Sequence, residues 1–294
     1  MTRVAALSFV ALVACERPVP PVPAPASATA SAPDAGKCLG SPLRAYDETP
    51  GVLQRLYVDL PIEGQTTPFF IDTGSEQSFR RADADAGIAV AAKQIPTTIS
   101  CIDVGLAFSR GSLFTATPDG RPVGGVIGTD LLSVGGVLDL RIRDSLFVWS
   151  GKVPPLPPGT ITLPATFSAS TDPYARAKLV VEDVTLDGKK VRLLFDTGSP
   201  HVVILSNVPR ANEKEIDAFD GTGARVKFFE STIDIAFASG ASRKVVVDRA
   251  ASFPTVEKVF AAFGGGEIAG VLGLGALGHE RIVISKDAVR FSLP

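Results

Sequence analysis

Two aspartates stand at the same place in two copies of one tetrapeptide, Asp-Thr-Gly-Ser. Asp72 follows the apolar run FFI, and Asp196 follows the apolar run LLF. At average amino-acid usage this tetrapeptide is expected at about one position in a hundred thousand, so two copies in one chain indicate a duplication. A carboxylate at the end of a buried strand can act as a general acid or base, which makes these aspartates the first candidates for chemistry.

The residues around the two motifs repeat as well, which indicates two copies of one folding unit. Gly64 stands eight residues before Asp72, and Gly188 stands eight residues before Asp196. Each stretch is predicted to form a strand, a tight glycine turn and a second strand that ends at the aspartate. A single motif would fit an Asx-type turn that closes a hairpin, but the matched flanks argue against this alternative.

A second pair of matching segments follows the motifs. They are GGVIGTDLL around Gly128 and AGVLGLGAL around Gly273. The separation from aspartate to glycine is 56 residues in the first copy (72 to 128) and 77 in the second (196 to 273), so the second copy contains an insertion of 21 residues. Taken alone, these segments would be interpreted as core strands with a turn glycine.

Composition places the two units in an all-β protein. Runs of Val, Ile and Phe alternate with Gly and Pro clusters, which favours strands over helices. Four prolines between Val153 and Gly159 cannot continue a helix or a central strand. They predict a linker, residues 153–160, between an N-terminal lobe, residues 39–152, and a C-terminal lobe, residues 161–294. A formal net charge of −2 without a basic run argues against nucleic acid as a partner.

The first 38 residues have the pattern of an export signal followed by a tether. Arg3 precedes a short apolar stretch that could not span a bilayer, and Leu-Val-Ala-Cys at residues 12–15 resembles a bacterial lipobox. We therefore expect a signal peptide, residues 1–14, and a lipid on Cys15 that anchors the exported protein to the membrane of the cell envelope, facing the periplasm. An ordinary signal peptide with an incidental cysteine is the alternative. The Pro- and Ala-rich segment, residues 15–38, is predicted to be an unfolded tether.

Two further cysteines, Cys38 and Cys101, remain if Cys15 carries a lipid. In an oxidising compartment such an even pair can form a disulfide, which would join the start of the folded region to the first lobe. Two buried free thiols are the alternative.

Two lobes that each place Asp-Thr-Gly-Ser at a strand end, and each carry a later apolar-apolar-Gly segment, resemble the pepsin-like and retropepsin-like aspartic peptidases. The resemblance covers residues 52–294, and its local features are similar to compact bacterial relatives of retropepsins placed in tandem. It implies an all-β fold of two homologous β-barrel lobes with an active site between them. It also implies an endopeptidase that cuts extended peptides or proteins without a cofactor or a metal ion, and we expect a monomer.

By this resemblance, Asp72 and Asp196 would face each other between the lobes and share one proton. One carboxyl would then act as the base that activates a water, and the other would act as the acid. Gly74 and Gly198 would let backbone N–H groups approach the carboxyls, because glycine has no Cβ. The two later apolar-apolar-Gly segments would pack beneath the aspartate loops.

The hydroxyl residues of the two motifs would support this pair of carboxyls. Thr73 and Thr197 would point away from the substrate and exchange hydrogen bonds between the lobes. Ser75 and Ser199 would donate hydrogen bonds to the outer carboxylate oxygens. These four roles are implied by the resemblance alone.

The insertion in the C-terminal lobe contains FDGTGARVKFFE, a Gly-rich turn between strand-like segments. This segment resembles a retropepsin flap, so Gly221, Thr222 and Gly223 are the predicted tip of a lid over the cleft. The flap of a pepsin-like first lobe commonly carries a tyrosine, but no tyrosine occurs between Glu76 and Gly128. A surface hairpin that does not reach the cleft is the alternative.

Other chemistries have little support in the sequence. His201 and His279 are the only histidines, and neither is spaced with cysteines or carboxylates as a metal ligand would be. No nucleophile-elbow pattern surrounds Ser75 or Ser199. The serious rival hypothesis is a lipoprotein that keeps the two-lobed fold to bind extended peptides without cutting them.

Overall fold

The computed structural model describes residues 40–47, 53–62, 64–81, 95–100, 102–109, 116–133, 136–168, 178–219, 225–253, 257, 260 and 268–293. Several predicted features lie outside the described residues: the signal peptide, the tether, Cys15, Cys38, Cys101, Gly221, Thr222 and Gly223. Within the described ranges, no helix has the length and apolarity needed to cross a membrane.

The N-terminal lobe has nine strands and one short helix among its described residues. They are β1 (Ser41–Tyr46), β2 (Arg55–Ile62), β3 (Gln65–Ile71), β4 (Phe79–Arg81), β5 (Ile95–Ile99), β6 (Ile102–Ser109), β7 (Gly125–Ile127), α1 (Asp130–Ser133), β8 (Val137–Arg141) and β9 (Leu146–Ser150).

The described part of the C-terminal lobe repeats this order with one additional strand. Its elements are β10 (Ile161–Ser168), β11 (Lys178–Leu186), β12 (Lys189–Phe195), β13 (Val202–Leu205), β14 (Lys214–Phe219), β15 (Arg225–Phe237), β16 (Ser242–Ala250), β17 (Ile268–Leu272), a 3₁₀ helix (Leu274–Ala276), β18 (Ile282–Ser285) and β19 (Ala288–Phe291). The additional strand is β14, which pairs with β15 from Lys214 opposite Glu230 to Phe219 opposite Arg225. The predicted insertion is therefore an antiparallel hairpin whose connection lies outside the described residues.

The predicted strand, turn and strand before each aspartate are present in both lobes. β2 pairs with β3, and β11 pairs with β12, in antiparallel register. Asp187 and Gly188 have positive φ angles of 49° and 75°, as a type I′ hairpin turn requires, and Gly64 has a φ of 78°. Ile71 and Phe195, the last residues of β3 and β12, are fully buried, so each aspartate follows the interior end of a strand.

Six strands, three from each lobe, form one antiparallel sheet that joins the lobes. Its order is β1, β9, β8, β18, β19, β10. At its centre Leu140 lies opposite Ile282, and Leu138 lies opposite Ile284. All four side chains are fully buried, so the same apolar contact serves both lobes.

The lobes share a core as well as a sheet. One continuous hydrophobic cluster includes Ile71 and Leu140 from the N-terminal lobe and Phe195 and Ile282 from the C-terminal lobe. Residues 151–160, which contain the predicted proline linker, connect β9 to β10 without a helix or a strand. The predicted all-β fold of two repeated lobes is confirmed, and the shared sheet and core hold the two aspartate motifs at one interface.

Candidate active site

The two Asp-Thr-Gly-Ser motifs occupy equivalent loops, the Asp72 loop (residues 72–78) after β3 and the Asp196 loop (residues 196–201) after β12. The backbone N–H of Asp72 donates to Ile127 O at 2.9 Å, and that of Asp196 donates to Leu272 O at 3.1 Å. Because β7 runs parallel to β3 and β17 runs parallel to β12, each of these bonds extends a parallel ladder. The start of each loop is thereby fixed to a buried strand of its own lobe.

The structure brings the two loops into direct contact. The N–H of Thr73 donates to Thr197 Oγ1 at 3.0 Å, and the N–H of Thr197 donates to Thr73 Oγ1 at 2.9 Å. Both threonines are buried. Since each threonine follows its aspartate directly, this exchange between the lobes sets the distance between Asp72 and Asp196.

The carboxyl groups of Asp72 and Asp196 are buried beside each other. The N–H of Gly74 lies 2.8 Å from Asp72 Oδ1 and 3.1 Å from Asp196 Oδ1, so it donates to both carboxyls. The N–H of Gly198 donates to Asp196 Oδ1 at 2.7 Å. Asp72 Oδ2 is buried and receives no hydrogen bond from a backbone N–H or a hydroxyl group of the described residues. Asp196 therefore accepts two backbone hydrogen bonds, whereas Asp72 accepts one.

Glycine is required at both positions that face the carboxyls. A Cβ atom at Gly74 would lie 2.6 Å from the carboxyl atoms of Asp196, and one at Gly198 would lie 2.7 Å from Asp72 Oδ1. Real Cβ atoms do not approach other heavy atoms so closely, so any other residue would push the carboxyls apart.

The later glycines lie directly beneath the two loops. A Cβ atom at Gly128 would lie 2.8 Å from Ser75 O, and one at Gly273 would lie 2.4 Å from Ser199 O. Each of these glycines therefore lets one chain cross closely under a loop of its own lobe.

The prediction for the two serines is wrong. Ser75 Oγ donates to Gln77 O at 2.9 Å, and Ser199 Oγ donates to His201 O at 3.0 Å. A hydroxyl group has one hydrogen to donate, so neither serine donates to a carboxylate in this arrangement. The serines instead close the two loops on themselves.

The environment raises the pKa of both carboxyls. Burial raises the pKa of Asp72 well above its ordinary value, and the neighbouring Asp196 carboxyl raises it further. Burial also raises the pKa of Asp196, but a hydrogen bond from Asp72 and the N–H groups of Gly198 and Gly74 favour its ionised form. Both carboxyls therefore favour the protonated form more than an exposed aspartate does, and Asp72 favours it more strongly than Asp196.

Lys178 is a charged residue of the site that sequence analysis did not identify. It is the first residue of β11, and its side chain is 4% exposed. Its Nζ donates to Gly74 O and lies 3.1 Å from Glu76 Oε1. The signal in the sequence is a single lysine at the head of the apolar run LVV, and the repeat offered no reason to select it.

Each histidine lies beside a different aspartate, away from the Asp72 and Asp196 carboxyls. His201 Nδ1 is 2.8 Å from Asp248 Oδ2, and His279 Nε2 is 3.3 Å from Asp47 Oδ1. Across the residues that the structure describes, no group of three or more His, Cys, Asp or Glu side chains is placed to hold a metal ion.

Among known proteins, this chain has a distant structural neighbour. No protein-family model matches this chain. No curated protein matches it either. Among solved structures, the chain is similar to basic 7S globulin from soybean at 12% sequence identity, with a TM-score of 0.46 over 86% of this chain and 94% of that chain.

Proposed function

We propose that the protein is an aspartic endopeptidase that hydrolyses peptide bonds of extended polypeptides. The observation that carries the proposal is the buried pair of carboxyls, Asp72 and Asp196, bridged by the N–H of Gly74. Burying two like charges side by side is unfavourable, and such pairs are concentrated at sites that need an acid and a base together. Their unequal environments provide one of each.

The donors around the carboxyls support an assignment of roles. Asp196 Oδ1 accepts two N–H groups that stabilise its ionised form, whereas Asp72 Oδ2 is buried without such a donor. In the proposed reaction Asp196 accepts a proton from a water molecule, the water oxygen bonds to the peptide carbonyl carbon, and Asp72 gives its proton to the carbonyl oxygen. The intermediate then loses its amine as Asp196 protonates the nitrogen and Asp72 recovers a proton from a hydroxyl. No bond forms between enzyme and substrate.

The hairpin that β14 forms with the first part of β15, residues 214–230, is the proposed lid of this site. This hairpin contains β14, the strand that has no counterpart among the described residues of the N-terminal lobe. Its two strands flank residues 220–224. A lid that closes over bound peptide would exclude water from the carboxyls. Deleting residues 221–223 should then raise KM for peptides, and unchanged cleavage would reject the lid.

The direct test of the proposed function replaces each carboxyl by an amide of the same shape. Asp72→Asn and Asp196→Asn should each lower kcat/KM for peptide cleavage by at least about a thousandfold, and the double variant should be no worse than either single one. Asp234→Asn is the matched control, because Asp234 is an exposed residue of β15 that pairs with Lys244. It should keep wild-type activity.

Two outcomes would contradict the proposal. Wild-type cleavage by a folded Asp72→Asn or Asp196→Asn variant would exclude the shared-proton mechanism. A wild-type protein that is captured by an immobilised transition-state mimic such as pepstatin, yet cuts no peptide of a diverse library, would favour the peptide-binding rival.

A further inference from the structure

A buried ammonium group lies at the lobe interface beside the two carboxyls. Lys178 belongs to the C-terminal lobe, but both of its acceptors, Gly74 O and the carboxylate of Glu76, belong to the Asp72 loop of the N-terminal lobe. A buried ammonium is unfavourable unless it is paired and hydrogen-bonded, and here both conditions are met across the interface. Lys178 thus ties the Asp72 loop to the opposite lobe.

Gly74 connects this ammonium to the carboxyls. Its N–H donates to Asp72 and Asp196, while its carbonyl oxygen accepts from Lys178. Gly74 alone therefore connects the ammonium of Lys178 to the two carboxyls. A positive charge so near in a buried site favours the ionised form of a carboxyl.

We propose that Lys178 is a positioning residue of the site: its ammonium holds the Asp72 loop against the C-terminal lobe and places a positive charge beside both carboxyls. This inference rests on the proposed peptidase function, because it concerns the same two carboxyls. Lys178 lowers the pKa of Asp72 and of Asp196, which opposes the effect of their burial. One carboxyl can therefore stay ionised, and act as the base, at mildly acidic pH.

The other charged groups around the site have partners of their own. Glu76 is the counter-ion of Lys178 and is 23% exposed. Asp130, on α1 behind the Asp72 loop, accepts hydrogen bonds from the N–H and the hydroxyl of Ser78 at 2.9 and 2.6 Å. His201 lies against Asp248. The charge of Lys178 is thus the one whose removal is expected to act on both carboxyls.

Three variants break the ion pair of Lys178 and Glu76. They distinguish an electrostatic effect of Lys178 on the carboxyls from a purely structural ion pair. Lys178→Gln keeps a hydrogen-bond donor without the charge, Lys178→Met removes both, and Glu76→Gln removes only the counter-ion. A reaction that needs one ionised and one protonated carboxyl has a bell-shaped pH profile. If the charge of Lys178 acts on the carboxyls, both Lys178 variants raise their pKa values and shift this profile upward by roughly one pH unit. Glu76→Gln leaves the profile in place or shifts it downward, because the ammonium remains. Identical profiles in wild type and all three variants would show a purely structural ion pair and overturn the proposal.

Titration of the aspartate carboxyl carbons by ¹³C NMR gives a readout that does not depend on turnover. Lys178→Gln should raise the titration midpoints of Asp72 and Asp196, and Lys178→Arg, which keeps the charge, should retain the wild-type midpoints. Unchanged midpoints in folded Lys178→Gln would overturn the proposal. A wild-type protein that cuts no peptide would contradict the proposed function, yet raised midpoints would still support the electrostatic role of Lys178.

Discussion

Thr73 and Thr197 each use one hydroxyl group as a donor and as an acceptor across the lobe interface. Thr73 Oγ1 donates to Phe195 O at 3.1 Å, and Thr197 Oγ1 donates to Ile71 O at 2.8 Å, while each also accepts the N–H of the other threonine. Ile71 and Phe195 are the residues that precede the two aspartates. The four buried hydrogen bonds therefore clamp the chain on both sides of each carboxyl.

Replacing one of these threonines by valine should destabilise the lobe interface. Thr73→Val or Thr197→Val keeps the shape but leaves a buried N–H and a buried carbonyl without partners, so each should lower the free energy of unfolding by about 1–3 kcal/mol. The double variant should lose less than the sum, because the residues share one network. Denaturant unfolding measures both effects. Thr162→Val, at an exposed position of β10, is the control, and equal stability of Thr73→Val and this control would contradict the clamp.

The pair of carboxyls should make stability depend on pH. Folding raises the pKa of Asp72 and Asp196, chiefly by burial, so the folded state binds a proton more tightly than the unfolded state. This contribution to stability is fully present below the unfolded-state pKa of about 3.9 and is lost as pH rises through the folded-state pKa. Asp72→Asn should therefore gain stability relative to wild type as pH rises from about 4 to 8, by at most about 1.4 kcal/mol per pH unit. Thermal unfolding of both proteins over this range is the measurement, and a constant difference in Tm would count against the raised pKa values.

A methyl group at Gly198 should disable the site while leaving the fold in place. The new Cβ would lie 2.7 Å from Asp72 Oδ1 and 3.0 Å from Asp196 Oδ1, so the carboxyls must separate. We expect Gly198→Ala to lower kcat for peptide cleavage by about a hundredfold or more, since such misplacement spoils the alignment of reacting groups. Gly240→Ala is the control: Gly240 has a φ of 83° and open space around it, so its substitution should cost about 1–2 kcal/mol of stability and no activity. Equal activity of the two variants would contradict the steric argument.

Asp139 and Arg281 should stabilise the sheet between the lobes. Asp139 lies on β8 and is 1% exposed, and Arg281, the residue just before β18, donates to both of its carboxylate oxygens at 2.7 Å. Arg281→Met should lower the free energy of unfolding by about 2 kcal/mol, less than for a fully orphaned buried charge, because Arg141 still contacts Asp139 at 2.8 Å. The exposed pair of Lys244 and Asp234 provides the control, since Lys244→Met should change stability by less than about 0.5 kcal/mol. Equal effects of the two substitutions would show that Arg281 contributes no more than a surface ion pair.

Much of the fold could be predicted because its signals are local and occur twice. The strand, turn and strand before each aspartate depend on apolar runs and on Gly64 and Gly188, whose positions in the chain alone define the hairpins. The need for glycine beside the carboxyls follows from the motif and the resemblance together. The roles of Ser75 and Ser199 could not be derived in this way, because a hydroxyl group rotates to the nearest acceptor, and that acceptor was a backbone carbonyl.

The sequence by itself determined the duplication, the two strand-end aspartates and the all-β lobes, since each depends on neighbours within a few tens of residues. Tertiary structure alone decided which strands of the two lobes would share the six-stranded sheet and which cation would lie beside the carboxyls. Lys178 is 104 residues from Gly74 along the chain, and Asp139 is 142 residues from Arg281. Contacts of this kind depend on how two lobes pack, and a lysine that begins an apolar strand has the same local pattern whether its ammonium reaches solvent or a buried carbonyl.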